Sequence, residues 1–140
     1  MHLVDINVWL ALIFEAHQHH PQALRWFDAA EPDSCAMCRL AQNGLLRLAT
    51  NPAVFADEAV TMAQAWALYD ELLADERVYY LAEPQGLEAT WRDYTRDQTH
   101  SSKVWSDAYL AAFAVAAGMG VLSFDKGFQK FDGLALTIPV

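Results

Sequence analysis

Short apolar runs alternate with longer amphipathic stretches along the whole chain. The apolar runs predict strands, and stretches with apolar residues three and four positions apart predict helices. The predicted strands span residues 2–4, 34–38, 78–81, 121–124 and 134–138, the last at the edge of the sheet. The predicted helices span residues 8–14, 21–30, 40–48, about 57–74, 87–97 and 107–118. We therefore expect an α/β fold, a three-layer α/β/α sandwich whose mainly parallel central sheet has four to five strands.

The segment from Ser106 to Asp125 contains a helix followed by a strand. Ser106 is the predicted N-cap of an alanine-rich helix with Asp107 in its first turn, and Gly118 and Gly120 end that helix. At about 1.5 Å per helical residue and about 3.3 Å per strand residue, the helix and the returning strand each cover roughly 17 Å. We therefore expect Asp107 and Asp125 to lie level, at the carboxyl edge of the sheet where ligands bind.

The composition is typical of one folded domain over residues 1–140, with 54% hydrophobic residues. The longest apolar run, residues 109–119, is too short to span a bilayer, and the N-terminus lacks the basic region of a signal peptide. We therefore expect a cytoplasmic protein. Eighteen acidic residues against nine basic ones give a net charge of −9, which argues against broad, non-specific binding to nucleic acid.

Three aspartates occupy equivalent places in the predicted topology. Asp5 follows the first strand, Asp107 begins a helix and Asp125 follows a later strand, so all three project to one edge of the sheet. One such aspartate alone is more often a helix cap. Three neighbouring carboxylates repel each other unless a cation compensates, and oxygen ligands suit Mg²⁺ or Mn²⁺. This arrangement is typical of metal-assisted phosphodiester hydrolysis.

Four ordered segments resemble the motifs of the PIN domain, in particular those of the VapC-type toxins of bacterial toxin-antitoxin pairs. The segments are DINVWL at 5–10, QNGLLRLATNP at 42–52, SDAYLA at 106–111 and SFDKGF at 123–128. The motifs occur in the family's order, and the resemblance extends over essentially the whole chain.

This resemblance implies a Mg²⁺- or Mn²⁺-dependent endoribonuclease with Asp5, Asp107 and Asp125 as catalytic metal ligands. The usual glutamate of the third helix falls at Gln42, whose neutral amide can accept a hydrogen bond but contributes no negative charge. The resemblance also implies an RNA substrate and a cognate VapB-like antitoxin. Trp9, Ile13, Trp26 and Phe27, in the first two helices, are the predicted apolar surface for that partner or for a homodimer.

Two other classes of function compete with the nuclease. A catalytically weakened RNA- or protein-binding module is consistent with Gln42. A phosphatase or receiver also places an aspartate after the first strand, but the phosphatase needs a second acid where Asn7 stands, and the acids here do not match a receiver.

Several other polar residues have both a structural and a functional interpretation. Arg39, Lys103 and Lys126 lie in or beside the motifs and are predicted to bind RNA phosphates, although each is also consistent with a solvated surface charge. Trp105 is a candidate for stacking on a base because it lies near Asp107 in the sequence. The remaining polar clusters favour structural roles. These are His17, His19 and His20 in a helix-helix turn, and Cys35 and Cys38 on a buried strand, with a redox pair as the alternative.

Overall fold

Five parallel strands form the central sheet of the computed structural model, which describes residues 1–140. The spatial order is β3-β2-β1-β4-β5, and every neighbouring pair is parallel. The predicted α/β/α sandwich is confirmed, with β5 at the predicted edge. The strands are β1 (His2–Val4), β2 (Cys35–Met37), β3 (Val78–Tyr80), β4 (Gly120–Leu122) and β5 (Leu136–Thr137).

Seven α-helices connect and cover these strands. They are α1 (Ile6–Ile13), α2 (His20–Asp28), α3 (Arg39–Ala49), α4 (Pro52–Phe55), α5 (Met62–Ala74), α6 (Leu87–Thr95) and α7 (Ser102–Ala116). Two 3₁₀ turns, Ala56–Glu58 and Lys126–Lys130, follow α4 and β4. None of the helices is long and apolar enough to cross a membrane.

The predicted helix over residues 57–74 is wrong in its first part. Asn51 caps a separate short helix, α4, by accepting a hydrogen bond from the Ala53 N–H at 3.0 Å. The longer helix, α5, begins only at Met62, because Thr61 and Gln64 form a reciprocal capping box at its N-terminus. Local capping therefore divides a segment whose apolar pattern is nearly continuous.

The predicted start of α7 at Ser106 is also wrong. The helix begins at Ser102 with Ser101 at the N-cap, so Asp107 lies in the second turn. Val104 is buried in the core, and the Trp91 indole N–H donates to the Trp105 carbonyl at 3.1 Å. These tertiary contacts stabilise an extra helical turn before Ser106, the serine that the sequence predicted as the N-cap.

The core contradicts two of the four residues predicted for a partner surface on the first two helices, while Ile13 and Trp26 are partly buried against the core. Trp9 is fully buried and Phe27 is buried, so neither offers area to a partner. Leu24 of α2 is 41% exposed, but the more exposed large apolar residues within the chain lie on other elements, namely Val54, Met62, Trp66 and Trp105. An apolar helix face predicted from sequence is here simply the face that packs on the sheet and on neighbouring helices.

Candidate active site

Asp5 stands where β1 ends and α1 begins. Its N–H donates to the Leu122 carbonyl of β4 at 2.9 Å, and its Oδ1 accepts from the Ile6 N–H at 2.7 Å, which caps α1. The residue is only 9% exposed. A simple helix cap can remain in solvent, so the burial of this carboxylate calls for a further reason.

Ser123 and Asn7 join the ends of β1 and β4 in one polar network. The Ser123 hydroxyl, fully buried, donates to Asp5 Oδ2 at 2.7 Å. Asn7 Nδ2 donates to Ser123 Oγ at 3.1 Å, and Asn7 Oδ1 accepts from the Phe124 N–H at 3.2 Å. The Asp125 N–H also donates to Ser123 Oγ, at 3.0 Å. Sequence reasoning assigned neither residue to the site, although polar side chains beside two strand-end acids were an available signal.

Asp125 and Asp107 share one cation. Asp125 Oδ1 accepts from the Gly127 N–H at 2.8 Å, which fixes the carboxylate at the start of the 3₁₀ turn. Lys103 Nζ lies 2.7 Å from Asp125 Oδ2 and 3.9 Å from Asp107 Oδ2. Asp107 of α7 and Asp125, which follows β4, therefore lie at the same edge of the sheet, as the lengths of the helix and the returning strand predicted.

The pKa values of the three acids reflect different surroundings. Burial raises the pKa of Asp5, and the charges of Asp107 and Asp125 raise it further, against the hydrogen bonds from Ser123 and Ile6. Burial also raises the pKa of Asp107, partly offset by Lys103. By contrast, the hydrogen bond from the Lys103 ammonium lowers the pKa of Asp125. Two of the three acids thus lack enough compensating positive charge.

The chemistry of these acids fits a hard cation, although their present geometry is not that of a metal site. No three His, Cys, Asp or Glu side chains are arranged to hold one ion in this conformation. The available donors are carboxylate oxygens. Burial, and to a smaller extent repulsion between the acids, raises the pKa values of Asp5 and Asp107, and a divalent cation would stabilise both carboxylates in their charged form. At present the positive charge beside Asp107 and Asp125 is supplied by Lys103.

Gln42 lies in the first turns of α3, as predicted, and is buried at 5% exposure. Its Oε1 accepts a short hydrogen bond from Arg39 Nη1. The Arg39 guanidinium also lies 5.0 Å from the centre of the Tyr80 ring. No hydrogen bond joins Gln42 to any of the three aspartates, so its nearest partner is a cation.

The three residues predicted to bind RNA differ in their present contacts. Arg39 is exposed but engaged with Gln42, and Lys103 is paired with two acids. Lys126 is exposed and forms no ion pair. Only Lys126 is therefore free to contact a phosphate without first giving up a partner.

The histidine turn lies beside the site. The His19 ring stacks on the Phe124 ring with 4.4 Å between centroids, and His17 Nδ1 accepts from the His19 N–H at 3.1 Å. The two cysteines are buried free thiols, and burial raises the pKa of both Cys35 and Cys38. These contacts agree with the structural interpretation of both clusters.

The largest surface groove lies away from the acids. It encloses about 540 Å³, and its lining residues are Glu88, Trp91, Arg92, Thr95, Arg96 and Trp105. Trp105 is 58% exposed there. Because residues two positions apart in a helix do not face each other, Trp105 does not stand beside Asp107, despite their closeness in sequence. The acids, with their charge and burial, are the better candidate for the chemistry.

Known proteins match this chain over nearly its full length. Residues 2–134 match the family model of the PIN domain. Ribonuclease VapC41 of Mycobacterium tuberculosis is 41% identical over 143 aligned residues, covering 99% of this chain and 98% of the relative. Ribonuclease VapC38 of the same organism is 30% identical over 127 residues, with 91% and 86% covered.

Solved structures share the fold at low sequence identity. The structure of VapC20, the sarcin-ricin-loop-cleaving toxin of M. tuberculosis, superposes with a TM-score of 0.66 at 17% identity, covering 94% of this chain and 96% of that one. VapBC2 of Rickettsia felis, bound to a promoter DNA fragment, gives a TM-score of 0.70 at 11% identity and covers 99% and 98%.

The chain belongs to the PIN domain family. Within that family its sequence relatives are ribonucleases of the VapC kind.

Proposed function

We propose that the chain is a divalent-metal-dependent endoribonuclease whose hydrolytic site is formed by Asp5, Asp107 and Asp125. The observation that carries this proposal is the placement of the three carboxylates at the same carboxyl edge of the sheet, where the charges of Asp107 and Asp125 act on Asp5. Asp5 is buried, and Lys103 bridges Asp107 and Asp125. The VapC relatives, which are named ribonucleases, support the same activity.

The three aspartates would hold Mg²⁺ or Mn²⁺, because both ions prefer oxygen ligands and keep positions open for water and substrate phosphate. When bound, the metal activates a water molecule and stabilises negative charge on the phosphate oxygens. The protein's own part is orientation. Ser123 and the Ile6 N–H hold the two Asp5 oxygens, and the Gly127 N–H holds one oxygen of Asp125.

Gln42 lowers the negative charge of the site relative to the family pattern. With three carboxylates the site carries about −3, which is enough for one divalent ion but leaves a second ion without a charged ligand. Arg39, hydrogen-bonded to Gln42, reduces the local negative potential further. We therefore propose one tightly held ion and modest cleavage that favours Mn²⁺.

The substrate contacts would be local, since the chain as a whole carries a net charge of −9. Lys103, which pairs with two of the acids, Lys126, which follows Asp125 in the chain, and Arg39, which contacts Gln42, would bind phosphates of the RNA backbone. With so few phosphate contacts, binding should depend only weakly on salt concentration compared with a strongly basic nuclease.

The chain would act as the toxin of a toxin-antitoxin pair, neutralised by a VapB-like antitoxin. The VapC relatives and the VapBC2 structure support this role. The exposed Met62 and Trp66, which line a groove between α3 and α5, are the better candidates for a partner or homodimer surface than the buried Trp9 and Phe27. Co-expression with an adjacent antitoxin reading frame should relieve growth inhibition by this chain.

A cleavage assay tests the proposal. The purified chain should cleave RNA with Mn²⁺ and lose cleavage in EDTA. Asp107→Asn should reduce the rate by at least about tenfold to a hundredfold, the loss typical of changing a residue that merely supports a metal ligand. Asp57→Asn is the matched control, because Asp57 is exposed and makes no side-chain hydrogen bond. Cleavage that continues in EDTA would contradict metal dependence, and binding of RNA without any cleavage would favour the weakened binding module.

A further inference from the structure

Lys103 has a position that helix electrostatics alone does not favour. It is the second residue of α7, and a helix N-terminus carries a partial positive charge that repels cations. The neighbouring acids explain the placement. Lys103 Nζ is 2.7 Å from Asp125 Oδ2 and 3.9 Å from Asp107 Oδ2.

No other basic residue pairs with the acids of the site. The chain has nine lysines and arginines, and Lys103 alone forms an ion pair with Asp107 or Asp125, while none pairs with Asp5. Lys126 directly follows Asp125 in the chain yet forms no ion pair. One ammonium group thus makes the only ion pairs with the acidic cluster, and the charge of Lys130 acts on Asp107 and Asp125 from farther away, without an ion pair.

We propose that Lys103 is a built-in cation that occupies the place of the divalent metal between Asp107 and Asp125 in the metal-free protein and leaves it when the metal binds. This inference rests on the proposed metal site. It accounts for a site that has the acids for a metal while its present geometry brings no three of them around one point. Lys103 holds Asp107 and Asp125 close to each other, so that a divalent ion can bind both carboxylates when it displaces the ammonium group.

The side chain of Lys103 is suited to such an exchange. It is 71% exposed, so the ammonium can leave the carboxylates without any repacking of the core. Lysine is a compact charge on a flexible stem, which allows the ammonium to move into solvent at the edge of the site. From there the ammonium group can still contact a phosphate of the substrate. Lys103 would then pair with the acids in the metal-free protein and with the RNA backbone when substrate is bound.

Calorimetric titration of the EDTA-stripped protein with Mn²⁺ tests the inference without any RNA. Lys103→Met should bind Mn²⁺ about threefold to tenfold more tightly than the wild-type protein, since the metal no longer displaces an ion pair. Lys103→Arg, which keeps a cation in reach of the acids, should stay within about twofold of wild type. Lys126→Met removes the same charge nearby without breaking an ion pair and should also change the affinity less than about twofold.

Thermal unfolding supplies a second measurement. In EDTA, Lys103→Met should melt at a lower temperature than wild type, because its acids repel each other unpaired, and Mn²⁺ should raise its melting temperature by more than it raises that of wild type. Equal Mn²⁺ affinity in Lys103→Met and wild type would overturn the inference. An increase in Mn²⁺ affinity that is as large in Lys126→Met as in Lys103→Met would also overturn it, because the change in net charge alone would then explain the result. If no protein binds Mn²⁺, the proposed metal site itself fails.

Discussion

Ser123 Oγ lies 2.7 Å from Asp5 Oδ2 and is the only side-chain donor to that buried carboxylate. The bond joins the end of β4 to the end of β1, and it leaves Asp5 partly satisfied without neutralising it. Ser123→Ala should therefore lower the free energy of unfolding by about 1–3 kcal/mol at neutral pH, the usual cost of leaving a buried polar group unpaired. Urea denaturation of the metal-free protein measures this loss.

Ser106→Ala is the matched control for that experiment. Ser106 is exposed and its side chain makes no hydrogen bond, because it lies inside α7 and does not cap it. Alanine has the higher helix propensity, so the change should be neutral or stabilise by up to about 0.5 kcal/mol. A loss of about 1 kcal/mol, typical of a deleted N-cap, would instead support the start of α7 at Ser106.

Gly44 allows the close approach of α3 to α1. A Cβ on Gly44 would stand 2.3 Å from Ile6 Cδ1 and 2.9 Å from Ile6 Cγ1. Gly44→Ala should cost about 1–3 kcal/mol by overpacking, less the gain of up to about 1 kcal/mol in helix propensity. In an Ile6→Ala background the clash is removed, and the same substitution should become stabilising. A cost that persists in that background would exclude the contact with Ile6 as its cause.

Asp5→Asn should stabilise the metal-free protein at neutral pH. Because the pKa of Asp5 is raised in the folded state, the folded chain binds this proton more tightly than the unfolded chain does. Stability consequently falls as the pH rises from the ordinary aspartate range through the raised pKa, and it stays lower above it. Asparagine keeps an acceptor oxygen but has no charge. The free energy of unfolding of Asp5→Asn, measured in EDTA, should therefore fall less than that of wild type over this pH range. A variant that is less stable than wild type at pH 7 would contradict the pKa shift.

The sequence predicted the order of the strands and the common sheet edge of Asp5, Asp107 and Asp125, because both depend on local patterns. Apolar runs followed by an aspartate mark the ends of β1 and β4, and Gly118, which has a φ of +70°, marks the end of α7. Element boundaries were less predictable where tertiary contacts outweigh capping. The burial of Val104 and the hydrogen bond from Trp91 extend α7 toward its N-terminus, so that it begins before Ser106. Thr61 caps α5, which therefore begins only after a short separate helix.

The contacts that organise the site depend on residues far apart in the chain. Ser123 and Asn7 are 116 positions apart, and Lys103 meets Asp125 across 22 positions. Composition also cannot separate a buried apolar face from an exposed one, so Trp9 and Phe27 looked equivalent to Trp66, which is 51% exposed. Only the packing of α1 and α2 distinguishes them.

Gln42→Glu should raise Mn²⁺ affinity and the rate of RNA cleavage at limiting metal, by roughly threefold to tenfold, because it restores a negative charge near the acids. Arg39 will pair with the new carboxylate and limit the gain, so Arg39→Gln added to Gln42→Glu should increase it. Gln98→Glu makes the same charge change at an exposed loop position and should have little effect. If Gln42→Glu changes neither quantity while Asp107→Asn abolishes cleavage, then Gln42 does not face the metal.

The proposal of a metal-dependent site rests finally on whether the three aspartates bind one ion together. The most direct measurement is calorimetric titration of Mn²⁺ into wild type and Asp5→Asn, the latter expected from the stability experiment to be fully folded. We predict saturable binding of about one ion by wild type and none by Asp5→Asn, because a neutral amide replaces a charged ligand at the most buried position. Unchanged Mn²⁺ affinity in Asp5→Asn would contradict the assignment of this site.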